Sequence, residues 1–133
     1  MKRLGLFAVA VAAALATGCG GPGGREDAAS AVAVRLLDAV DRGDGAAACA
    51  VLAPETLADL EKSADQPCDQ AILDEDLPAP GTVTNTNVYG QWAQVRLDDD
   101  TVFLAVFPGG WRVVAAGCQP RGDRPYDCTL QGG

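Results

Sequence analysis

Five cysteines and no histidine bound the chemistry open to this 133-residue chain. Without an imidazole there is no Ser–His or Cys–His pair, and Ser30 and Ser63 lie in helical patterns with no base beside them. Cys49, Cys68, Cys118 and Cys128 include no CxxC pair, and no histidine completes a zinc set. An even number in an exported chain favours two disulfides. Local proximity selects Cys49 with Cys68 and Cys118 with Cys128 among the three possible pairings. Asp98, Asp99 and Asp100 form the densest cluster of oxygen donors, but they fall where two strands must be joined. Aspartate is a favoured turn residue, and the remaining ligand spacing of a calcium loop is missing. Asp74, Glu75 and Asp76 read as a solvated helix end. No glycine-rich loop follows a strand to cradle phosphate, so neither a cofactor nor a metal is expected.

The aromatic residues offer a second kind of site. Tyr89, Trp92, Phe103, Phe107 and Trp111 are the candidate surface for a ligand or a partner, although a domain this small also needs such residues for its core. Trp92 stands out because it shares its strand phase with polar Gln94 and Arg96, while Ala93, Val95 and Leu97 occupy the other phase. An acid–base pair would have to come from carboxylates with Tyr89 or Tyr126. The strands themselves carry only Arg96 and Arg112 as charged residues, so a non-catalytic reading is preferred.

The chain opens Met1-Lys2-Arg3, continues through an apolar run from Leu4 to Ala16, and reaches Cys19 through Thr17 and Gly18. That order is the charged, apolar and small-residue pattern of a secretory signal over residues 1–18. The run is shorter than the roughly 20 residues needed to cross hydrocarbon. Cys19 after Ala16-Thr17-Gly18, with Leu15 before them, resembles the lipobox of bacterial lipoproteins. This resemblance implies lipidation of Cys19 and attachment to the extracytoplasmic face of the cell membrane. Residues 19–25 would then be the lipidated cysteine and a flexible glycine-rich tether. Without Lys2 and Arg3, eight basic residues face eighteen acids, a net charge of −10. Such a chain repels phosphate backbones, so nucleic acid is not an expected partner.

Residues 26–133 make one domain's worth of chain. Ala29, Val32, Ala33, Leu36, Leu37 and Val40 recur at helical spacing, followed by Gly43 as a stop. Asp44, Pro54 and Pro67 mark the starts of three further short helices. After Pro78 and Pro80 the character changes: strands are expected over 82–89, 91–97, 101–107 and 111–116, separated by turn residues. A last short strand is open over 126–130, beyond a polar loop enclosed by Cys118 and Cys128. Both phases of 101–107 are apolar, which predicts a central strand covered on both faces. The fold class is therefore α+β, with N-terminal helices packed on an antiparallel sheet of about four strands and two disulfides.

The order of helix, Arg42-Gly43-Asp44 turn, short helices and then hairpins carrying Gly109-Gly110-Trp111-Arg112-Val113 resembles the NTF2-like superfamily, which includes the SnoaL and ketosteroid-isomerase-like cones. More closely it resembles small lipoproteins of that kind found in actinobacteria, over residues 26 to 117. The resemblance implies a sheet curved into a cone and a domain that binds a protein partner or a small apolar ligand at the cell envelope. It leaves open an isomerase- or hydrolase-type enzyme using a carboxylate and a tyrosine, and a purely structural envelope protein.

Overall fold

The computed structural model describes residues 22–132; the expected signal segment and Cys19 lie outside the described residues. Four helices precede one five-stranded antiparallel sheet whose strands lie side by side in chain order. The helices are α1 (Pro22–Asp41), α2 (Gly45–Cys49), α3 (Pro54–Ala64) and α4 (Cys68–Asp74). The strands are β1 (Val83–Tyr89), β2 (Trp92–Leu97), β3 (Thr101–Phe107), β4 (Gly110–Arg121) and β5 (Arg124–Gln131). Helix α1 therefore starts four residues earlier than expected, and Pro22–Arg25, read as part of the tether, is helical. Proline suits a first helical turn because its missing N–H has no partner there anyway. Glu26 and Asp27 consequently fall in the second turn.

Helix α1 stops where the sequence says it should. Gly43 takes a left-handed conformation at φ 72°, its N–H donates to the Val40 carbonyl, and the Asp44 N–H donates to the Ala39 carbonyl. This is the Schellman arrangement, which satisfies carbonyls that the helix itself leaves free. Asp44 then caps α2, its Oδ1 accepting from the Ala47 N–H at 3.0 Å. Pro54 opens α3, and Cys68 at the start of α4 is held by its N–H donating to Glu61 Oε2 of α3.

One face of the sheet forms the core with the helices. Ala29, Ala33, Leu36 and Leu37 of α1, Leu60 of α3 and Ile72 of α4 pack with Val95, Val102, Leu104 and Val113 of the strands, all buried. Strand β3 is the middle strand of five, and its buried positions, Thr101, Val102, Leu104 and Ala105, include both phases. The double-sided apolar pattern of 101–107 thus marks a strand covered on both faces, up to Ala105.

The second face is covered because the β4–β5 hairpin curls over it. Tyr126 of β5 packs edge-on against Phe103, with ring centroids 5.1 Å apart, and its hydroxyl accepts from Gln94 Nε2 of β2 at 3.2 Å. In a flat sheet β5 and β2 would be about 14 Å apart, three strand spacings, so this contact requires strong curvature. The fifth strand corrects the count of about four. What reads as a polar loop between Cys118 and Cys128 is a hairpin that reverses at Gly122-Asp123. Pro120 and Pro125 obscure it, although Gly-Asp is a two-residue turn signal.

The two disulfides pair as expected. Cys49–Cys68 joins α2 to α4 across a separation of 19 residues, and Cys118–Cys128 joins directly opposed positions of β4 and β5 across 10. The loop-closure relation gives each about 3 kcal/mol of stabilisation. Cys49→Ser/Cys68→Ser and Cys118→Ser/Cys128→Ser are each expected to lower the unfolding free energy by about that amount, read as a shift in urea midpoint under oxidising conditions.

Candidate functional site

The turn between β2 and β3 contains a buried acid. Asp100 is only 5% exposed, and its carboxylate accepts from three backbone N–H groups: Thr101 at 2.7 Å, Cys118 at 2.9 Å and Gly117 at 3.1 Å. Two of these donors belong to β4. They can point at one carboxylate because Gly117 adopts φ 65°, where a Cβ would strike the Thr129 side chain. Burial pushes the Asp100 carboxyl above its ordinary value, and the N–H donors from Gly117, Cys118 and Thr101 pull it back only in part. Asp98, in the same turn, accepts from the Thr82 N–H at 2.9 Å and ties down the entry to β1. The aspartate run is thus a turn, as read, but Asp100 and Asp98 are also structural anchors. Nothing in the residue types distinguishes Asp100 from its two neighbours; only its place immediately before a fully covered strand hints at burial.

The opposite end of the sheet is built from the β1–β2 and β3–β4 turns, which touch through the Val106 N–H donating to the Gln91 carbonyl. The first turns of α1 lie across this end. Arg25 donates to the Gly90 carbonyl, and its guanidinium sits 5.5 Å from the Trp111 ring centroid. Tyr89 and Trp92 face each other in register across β1 and β2, and they are 64% and 56% exposed. Val106 is exposed as well.

Three open grooves meet around Arg112 and Phe107 at this end. One of about 420 Å³ lies between α1 and the β3–β4 turn, with Val32, Ala28 and Trp111 in its walls. A second of about 440 Å³ is lined by Leu52, Pro54, Leu57 and Phe107. Arg112 and Ala50 line both. A third of about 420 Å³ runs from Thr56 and Glu55 to Trp92 and Phe107. Arg112 is positioned by donating to the Ala50 carbonyl, and it has no carboxylate partner among the described residues. The backbone behind it is stiff. Val113 and the segment Val51–Ala53 bond to each other in both directions as a parallel bridge, and Thr56 Oγ1 donates to the Val114 carbonyl at 2.9 Å.

Of the aromatic residues singled out from the sequence, Tyr89, Trp92, Phe107 and Trp111 gather at this end, whereas Phe103 is drawn under Tyr126. Arg112 and Arg25 were not among them. A lone arginine between Trp111 and Val113 is the one trace of the former, and Arg25 gives no signal because its partner is 65 residues away. The arrangement can bind an apolar body and one polar acceptor. The buried acid is not paired with Tyr89: Asp100 and Tyr89 lie at opposite ends of β2, roughly 20 Å apart at a strand rise of about 3.3 Å per residue. The Tyr126 hydroxyl is engaged by Gln94.

Asp100→Asn replaces an acceptor with a donor facing backbone N–H groups, and it is expected to cost about 1–3 kcal/mol. Because burial raises the folded-state pKa, the folded protein holds this proton more tightly than the unfolded chain. Its contribution is fully present below the ordinary carboxylate value and is lost as pH rises through the folded value. The stability gap between wild type and Asp100→Asn, from urea titrations across the acid range, is therefore widest at low pH and narrows as pH rises. A gap that widens instead would mean that the N–H bonds outweigh burial.

Comparison of the chain with protein-family models, with curated proteins and with solved structures finds no match.

Proposed function

We propose that this chain is a non-catalytic, lipid-anchored domain at the extracytoplasmic face of the membrane, and that it holds a small apolar molecule with one polar acceptor group in the grooves flanking Arg112. The observation that carries the binding reading is Arg112 itself: a guanidinium set among apolar walls, fixed by the Ala50 carbonyl and without a carboxylate partner among the described residues. Ligand sites are commonly apolar clefts with a few convergent polar groups, and arginine forms its strongest bonds with acceptors that carry charge. Extracytoplasmic placement is supported by the two disulfides, which persist in oxidising compartments, and by the signal-like run before Cys19. Kinship with the NTF2-like superfamily belongs to the same proposal. Helices packed on a curled antiparallel meander, and the Trp111-Arg112-Val113 segment beside the grooves, support it.

The experiment uses the full chain carrying Cys19→Ser, which is released without lipid, and a fluorescent unsaturated fatty acid as probe. Saturable binding with quenching of tryptophan emission is expected, and Arg112→Leu weakens it about tenfold or more, the loss of a bond to a charged group. Arg112→Lys keeps charge but not the fork, and gives an intermediate result. Equal affinity for wild type and Arg112→Leu would end the assignment. The anchor is read separately, as a diacylglyceryl-sized mass increment on Cys19 of the protein purified from its own membrane.

A further inference from the structure

We propose that the aromatic end of the domain lies in the headgroup layer of the bilayer, with Tyr89 and Trp92 inserted, so that the domain rests on the membrane in one orientation instead of swinging on its tether. This rests on the anchored reading of Cys19. Three observations point to a bilayer as the occupant. The first is reach. Cys19 precedes Pro22, the first residue of α1, by three positions, a span of at most about 11 Å of extended chain. Arg25, one turn into α1, bonds to Gly90 between Tyr89 and Trp92. A lipid on Cys19 therefore brings this end of the molecule, and no other, to the membrane surface.

The second observation is chemical. The side chains left uncovered there are Tyr89, Trp92 and Val106, beside Trp111 and Phe107. Tyrosine and tryptophan, with an apolar ring and a polar tip, concentrate at the level of lipid headgroups.

The third is charge. The stretches 77–97 and 101–122 contain no aspartate or glutamate. The turn acids Asp98, Asp99 and Asp100 lie at the far end of the sheet, and Asp38 and Asp41 lie in the last turn of α1, a helix about 30 Å long, with Asp44 just beyond it. Among the described residues the charged groups around the aromatic end and its grooves are Arg25, Arg35 and Arg112 against Glu26, Asp27 and Glu55, in balance. Contact is therefore driven by the rings, and it is insensitive to salt.

A tether converts this contact into an intramolecular event at millimolar effective concentration, so a patch that binds only weakly when free still stays engaged. The test uses the full lipoprotein in phosphatidylcholine vesicles, with Trp111→Phe making Trp92 the sole tryptophan. Emission of Trp92 is expected to move to the blue, to be quenched by lipids brominated near the headgroup, and to lose access to aqueous iodide severalfold, at low and high salt alike. Tyr89→Ser in the same background reduces the quenching. Should Trp111→Phe fold poorly, the difference between wild type and Trp92→Phe reports the same signal. Intact mass of the same sample separates the two readings. A lipidated protein whose Trp92 stays as open to iodide as in the Cys19→Ser protein overturns the docked orientation while the anchor stands. An unlipidated protein whose Trp92 is still quenched on added vesicles upholds the membrane-facing end and removes the anchor. An unlipidated protein with no quenching overturns both.

Discussion

The Asp100 carboxylate is the constraint around which the sheet is organised. By accepting from Gly117 and Cys118 it fixes the β2–β3 turn against β4 at Gly117, beyond Ala115, the last β4 residue in register with β3. Beyond that point, β4 and β5 leave the plane of the first three strands, and this allows Tyr126 to close over Phe103 and Gln94. An acid among apolar strands carries a desolvation penalty, and three N–H bonds offset part of it only while all three donors converge. Gly117 has no substitute in that geometry, because both its φ and the crowding by Thr129 exclude a side chain.

Curling the second hairpin over one face and packing four helices on the other leaves, among the described residues, one region where large apolar side chains meet solvent together. That region is the end formed by the two short turns, where α1 begins. Its stiffness comes from long-range backbone bonds. Val51 and Ala53 lock onto Val113, and the Gly132 N–H donates to the Val114 carbonyl, so the chain from α2 to α3 runs on along the edge of β4 where β5 ends. Arg112 is thus carried on a strand held from both sides, as the proposed binding role needs if its direction is to be defined.

What could be read in the sequence was local or periodic. The apolar spacing of α1, the glycine stop at Gly43, the proline openings of α3 and the unbroken apolar character of 101–107 each reflect burial or backbone preference over a few residues, and each holds in the structure. The disulfides were legible because their partners are near neighbours in the chain. The missing pieces are long-range. Asp100 is identical in type to Asp98 and Asp99, and only a partner 17 residues on makes it an anchor. The strand after Gly122 was left open over 126–130 only; that it begins at Arg124 was obscured by Pro125, which an edge strand tolerates and a central strand does not. Arg112 was visible as an odd charge in a strand, but its meaning depends on Ala50, 62 residues earlier.

The sheet is open, so both outer strands expose backbone groups that a second molecule could pair with. β5 interrupts its free edge with Pro125 and places Arg124 and Asp127 along it. β1 carries a bulge between Val83 and Asn85 and exposes Thr84 and Asn85. Each device spoils the register that a foreign strand would need. Copies at high local concentration can therefore meet without zipping into a continuous sheet, which gives Pro125 and the bulge a role in keeping the molecules apart.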